Sequence, residues 1–177
     1  MNRRGRAEVA ALSLIAVALG ALEGMLPRPV PFLKLGLANV AVVYALIRTG
    51  TAGAAMVTGL RVVGAGLITG TIATPTFALS AAGAALSLIF MSPLSRLSPG
   101  LVSVVGVSTA GGIGSMTGQL AAAVLILPDL PLRAIAGPAL AWGCLSGALV
   151  GVAANWLLRR GRMEEIVDHL AQGGAGG

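Results

Sequence analysis

Apolar runs long enough to cross a bilayer recur along this chain, separated by short polar breaks. A transmembrane helix needs about 20 predominantly apolar residues, fewer where neighbouring helices shield it. That criterion predicts six spans, over residues 7–26, 35–47, 51–69, 76–91, 101–127 and 132–158. Proline, glycine and arginine supply the breaks. Pro27 stops the first run, Arg48, Thr49 and Gly50 the short second one, and Gly70 to Pro75 the third. Ser92-Pro93 and Ser98-Pro99-Gly100 follow the fourth, Pro128-Asp129 the fifth, and Arg159, Arg160 and Arg162 the sixth. Further on, Met163, Ile166, Val167 and Leu170 interleave with Glu164, Glu165 and Asp168 at helical spacing, which predicts a short cytoplasmic helix. The glycine-rich stretch 173–177 is expected to be disordered. The pattern predicts an all-α polytopic bundle: a basic cytoplasmic N-terminus (1–6), a six-helix membrane domain (7–158) and a cytoplasmic tail (159–177).

Composition strengthens this reading. Of 177 residues, 56% are hydrophobic and 10% charged, with a mean hydropathy of +0.91. Soluble domains carry roughly a quarter charged residues, so the bilayer is the expected solvent. The 26 glycines and 3% aromatics favour close helix packing. Ala139, Gly143, Gly147, Gly151 and Asn155 recur every four residues in the sixth span. Gly66 and Gly70, Gly114 and Gly118, and Ala16 and Gly20 repeat that spacing elsewhere. Ala7 and Ala11 form a similar pair at the cytoplasmic end of the first span, where a partner protein could dock.

The formal charge of +6 reflects topology rather than a nucleic-acid-binding face, because the cations sit singly or in short groups at span ends. With the N-terminus inside, eight arginines (Arg3, Arg4, Arg6, Arg48, Arg96, Arg159, Arg160, Arg162) are cytoplasmic and three cations (Arg28, Lys34, Arg133) external. That bias obeys the positive-inside rule and places both termini in the cytoplasm of a plasma-membrane protein. Arg3, Arg4 and Arg6 before an apolar run resemble a signal peptide. The run, however, continues to Leu26 without a small-x-small cleavage site, so a retained first span is expected.

Polar residues inside the spans carry the candidate chemistry. Arg61 falls near the middle of the third span, where an ionisable side chain faces a partner or a cavity. Two readings stand: a structural ion pair with Glu23, or an anion-binding cation at the base of an externally open pocket. Ser108, Gly111, Ser115 and Gln119 share one face of the fifth span, and Ser80, Gly83 and Ser87 one face of the fourth. The amides of Asn39 and Gln119 need hydrogen-bond partners in an apolar medium. Arg28, Lys34, Asn39, Arg61 and Gln119 together are candidates to line one pocket, and guanidinium groups suit phosphate or carboxylate.

Other chemistries lack their residues. The sequence has no GxxxxGK[ST] phosphate loop and no adjacent aspartates. Cys144 and His169 are each the single residue of their type, so no metal-ligand cluster or disulfide framework is expected. Neither a cofactor nor a clustered-carboxylate magnesium site is expected, and a Ser-His-Asp triad is implausible with its histidine in the tail.

The segment Glu23-x-x-Leu26-Pro27-Arg28-Pro29-x-Pro31, continued by Lys34-Leu35-Gly36-Leu37-Ala38-Asn39, resembles the signature of the Gx transporter family. Members are often labelled heptaprenyl diphosphate synthase component I. The resemblance extends through Arg61, Gly70-Thr71, Pro75-x-Phe77-x-Leu79-Ser80, Ser108-x-x-Gly111 and Gly118-Gln119-Leu120, about residues 8–158. One departure is Ser115-Met116-Thr117, where relatives tend to carry a His-Asn pair. The resemblance implies a relative of the substrate-binding (S) components of energy-coupling-factor transporters. These six-helix proteins bind a small solute from outside and work with a membrane scaffold and two cytoplasmic ATPases. Carried over, the loop containing Pro27, Pro29 and Pro31 would be a lid, and Ala7 and Ala11 a scaffold-docking face. The leading expectation is thus a non-enzymatic binding subunit for an anionic or phosphorylated small molecule. The alternatives are a non-catalytic accessory subunit of polyprenyl diphosphate synthesis, and a membrane protein in which Arg61 merely pairs with Glu23.

Overall fold

A computed structural model of the chain describes residues 3–25, 36–97, 102–129 and 131–173, with side chains between residues 5 and 161. Each apolar run becomes helix: α1 (Arg3–Met25), α2 (Leu37–Ile68), α3 (Pro75–Ser95), α4 (Val104–Ile126) and α5 (Leu132–Gly173). The described residues contain no strand, and all five helices are long and apolar enough to cross a membrane.

The six expected spans become five helices because the second and third are joined at Gly50. There φ is 78° and ψ −175°, a conformation open essentially to glycine alone. The break is a reversal. Arg61 Nη1 donates to Asn39 Oδ1 at 2.9 Å across 22 residues of sequence, whereas a straight helix would hold those positions about 33 Å apart. Residues 37–49 and 51–68 are therefore two antiparallel arms of α2.

Glycine contacts give the direction of each helix. Gly53 packs at Val9 and Gly64 at Val17, so the second arm of α2 runs parallel to α1. Gly20 meets Ala38 while Arg48 Nε pairs with Glu8 at 3.3 Å, so the first arm runs antiparallel to it. Gly118 packs on Ala82 and Gly111 on Met91, which sets α4 against α3. Gly112 packs on Gly143, Gly147 on Ser108 and Gly151 on Val105, which sets α5 against α4. The six membrane-crossing segments alternate in direction, and the start of α1 lies at the same end of the bundle as Arg48, Arg96 and Arg159.

The first arm of α2 lies at the centre. Its Ala41, Val42, Val43, Ala45 and Leu46 are all buried, and the core they form also takes in Val9 and Ala16 of α1, Val107 of α4 and Val150 of α5. Large apolar side chains such as Leu14, Leu67, Ile89, Leu125 and Leu149 point outward. On a soluble protein such a surface would be a liability; here it faces the hydrocarbon.

Several expectations change. Helix α3 runs through Pro93 to Ser95 instead of ending at Met91. In the last turn a proline removes only one ladder bond, and Ser92 Oγ donates to the Leu88 carbonyl at 2.7 Å. Ser98-Pro99-Gly100 lies outside the described residues. The tail helix is not separate, since α5 continues unbroken to Gly173; residues 174–177 lie outside the described residues. Gly70 is no packing residue: it takes φ 66° with open space around its Cα, in the turn before Pro75 opens α3.

A candidate ligand cavity inside the bundle

Local sequence positions the polar groups. On α2, the reversal at Gly50 brings Asn39 and Arg61 opposite one another. On α4, Ser103 caps the helix by accepting from the Gly106 backbone N–H at 3.1 Å. Its helical phase then turns Ser108, Gly111, Ser115 and Gln119 inward together. On α3, Ser80 and Ser87 face them. The helices come this close because glycine occupies their contacts.

Between these elements lies a cavity of about 330 Å³. Glu23 of α1, Asn39 and Arg61 of α2, Ser80 and Ser87 of α3, Ser108, Ser115 and Gln119 of α4, and Ser146 of α5 line it. Its volume sits at the lower end of the roughly 300–1,000 Å³ usual for small-molecule sites.

Arg61 is the strongest group in the wall. Its Nη1 is engaged by Asn39, while Nε is buried and without a hydrogen-bond partner among the described residues. Glu23 is 7% exposed, accepts the Gly36 backbone N–H and interacts electrostatically with Arg61. Glu23 therefore bridges two roles. It supplies counter-charge to the guanidinium and fixes Gly36, which enters α2 in the left-handed region at φ 75°. Where an ion pair with Glu23 was one expectation for Arg61, the side-chain hydrogen bond of the guanidinium goes to the Asn39 amide.

The neutral wall is built from hydroxyls and one amide. Ser108 Oγ donates to the Gly147 carbonyl at 2.7 Å, and Gln119 Nε2 donates to Ser115 Oγ at 3.3 Å. Ser87 is 3% exposed, and its Oγ has no partner among the described residues. Met91 seats on Gly111, and Gly112 and Gly143 meet backbone to backbone.

The structure thus brings Asn39, Arg61, Gln119 and Glu23 around one cavity. Arg28, Lys34 and the lid prolines Pro27, Pro29 and Pro31 lie outside the described residues. Ala7 and Ala11 are exposed on the outer face of α1, whereas Ala16 is fully buried and Gly20 packs on Ala65. Ser146 is a cavity residue that the sequence pattern did not single out. It precedes Gly147 of the small-residue stripe, so its place follows once that stripe is known to face α4. The Glu8–Arg48 pair was likewise not anticipated. Among the described residues, no group of three or more His, Cys, Asp or Glu side chains is placed to hold a metal ion.

Fold and cavity define a polytopic α-helical membrane protein with a ligand-sized cavity lined by both polar and apolar side chains. The chain belongs to the heptaprenyl diphosphate synthase component I family, whose model matches residues 12–157. No curated protein and no solved structure matches it.

Proposed function

We propose that this protein is a membrane solute-binding subunit, S-component-like, that takes an anionic or phosphorylated small molecule from outside the cell. The observation that carries the reading is Arg61: a guanidinium within a membrane span, hydrogen-bonded by Asn39 at one nitrogen and without a partner at the buried Nε among the described residues, in the wall of a ligand-sized cavity. Guanidinium stays protonated in proteins and pairs with oxyanions through two parallel N–H···O bonds. Arg28 and Lys34 would add positive charge at the external mouth, with the loop of Pro27, Pro29 and Pro31 as the lid. The protein would reside in the plasma membrane with both termini cytoplasmic. A membrane scaffold docking at Ala7 and Ala11, with cytoplasmic ATPases, would supply the energy. The organisation into a basic N-terminus, a membrane domain over 7–158 and a cytoplasmic tail belongs to the same proposal.

The test is native mass spectrometry of the detergent-purified protein, with extraction of any co-purifying small molecule. Wild-type protein is expected to release an anion. Arg61→Ala should reduce its occupancy about 10- to 100-fold, the scale of a charge-assisted hydrogen bond, while the variant still inserts. Equal occupancy in wild type and variant would refute the role of Arg61.

The family description favours a second reading, a non-catalytic accessory membrane subunit of polyprenyl diphosphate synthesis. It expects heptaprenyl diphosphate formation by a purified complex to be lost when this chain is removed and restored when it is added back.

A further inference from the structure

The cavity has two unlike walls. Both charged groups among its described residues, Glu23 and Arg61, sit on the α1–α2 side. The α3–α4–α5 side is uncharged and mixes serines and Gln119 with Phe77, Met91, Met116 and Val150; two of its polar groups have unused hydrogen-bonding capacity. Among the described residues, the Ser87 hydroxyl is buried and without a partner, and the Gln119 amide, 4% exposed, is engaged through Nε2 alone.

We infer that the ligand is a compact, hydroxyl- or carbonyl-bearing anion, its non-ionic part read by Ser87 and Gln119, and not an isoprenoid diphosphate with an extended chain. The inference rests on the anion-binding reading of Arg61 and narrows its substrate class. A prenyl tail laid against this wall would give the Ser87 hydroxyl and the Gln119 carbonyl no hydrogen-bond partner. Sites built to hydrogen-bond a substrate reject analogues lacking the matching group far more strongly than apolar pockets reject an extra methylene. The cavity volume of about 330 Å³ points the same way, being small for a pocket that must hold both a diphosphate and a long chain.

Matched monophosphates test this. Glycerol 3-phosphate, isopentenyl monophosphate and farnesyl monophosphate would be titrated by calorimetry against the purified full-length protein and its Ser87→Ala, Gln119→Leu and Arg61→Ala variants. Wild type is expected to prefer glycerol 3-phosphate over both prenyl phosphates by at least about tenfold. Ser87→Ala removes a hydroxyl without a partner, so it should keep the wild-type melting temperature while cutting that preference to about threefold or less. Gln119→Leu should cut it similarly. Tighter binding of either prenyl phosphate, abolished by Arg61→Ala, would leave the anion site standing and overturn this inference. An undiminished preference in both Ser87→Ala and Gln119→Leu would overturn it too. If none of the three phosphates binds wild type, the anion-binding reading fails and takes this inference with it.

Discussion

Arg61 shows how a single charge organises its surroundings within a membrane span. Burial of a guanidinium is tolerable only with compensating groups; the Asn39 amide supplies a hydrogen bond and the Glu23 carboxylate a counter-charge in the same cavity wall. The neutral partner leaves the cation available to a ligand in a way that a second adjacent carboxylate would not. Asn39→Asp separates the structural and functional roles. The new carboxylate, placed where Oδ1 now accepts from Arg61, should preserve or raise the melting temperature while displacing a bound anion. Thermal unfolding together with extraction of the co-purified molecule reads both effects. Retention of the anion at wild-type occupancy would count against Arg61 as the ligand's partner. Arg61 and Asn39 were legible in the sequence because polar groups inside apolar runs are conspicuous. Ser87 stood out less, since a lone serine in a membrane helix commonly bonds back to its own backbone. Only the packed structure shows its hydroxyl without a partner.

At the scale of elements, two glycine devices shape the bundle and act by different physics. Gly50 is conformational: nothing lies within 4 Å of where a side chain would begin, so its cost is backbone strain alone. Gly50→Ala should destabilise the protein by about 1–3 kcal/mol and loosen the Arg61–Asn39 juxtaposition without steric conflict. Gly112 is steric: a Cβ there would collide with the Gly143 carbonyl oxygen and crowd Gly147. Gly112→Val should cost at least about 1–3 kcal/mol by overpacking and separate α4 from α5. Thermal unfolding in detergent checks both, and a Gly112→Val protein as stable as wild type would contradict the close contact. The stripe Ala139, Gly143, Gly147, Gly151 was evident from spacing, but its partner helix was not, because small-residue spacing marks a contact face without naming what meets it.

For the whole molecule, the charge pattern and the helix directions coincide. Arg48, Arg96, Arg159 and Arg160 gather at one end with the start of α1, and Arg133 begins α5 at the other. Arg160 stacks 4.0 Å from the Trp156 ring centre, an aromatic–cation pairing suited to a membrane–water interface. The proposed orientation predicts the outcome of cysteine labelling in a Cys144→Ser background, needed because Cys144 is exposed. Ala73→Cys, in the exposed turn after α2, should react with an impermeant maleimide added to intact cells. Ala52→Cys, exposed beside the Gly50 reversal, should react only after permeabilisation. The reverse pattern would invert the proposed topology.

The sequence by itself determined the solvent, the class and the apolar runs that become helices. Hydropathy and span length are sums over local residues, and positive-inside bias is a count of charges at their ends. It also marked Arg61, Asn39 and Gln119, since an unpaired polar group in hydrocarbon is costly wherever the helix lies. Tertiary structure decided what no local rule contains. It turned Gly50 into a hairpin that sets Asn39 on Arg61, carried Ser146 into the cavity and left the Ser87 hydroxyl unsatisfied. Such contacts depend on how far apart helices pack and how each is rotated. Those distances are set by glycines meeting across helices, not by neighbours along the chain.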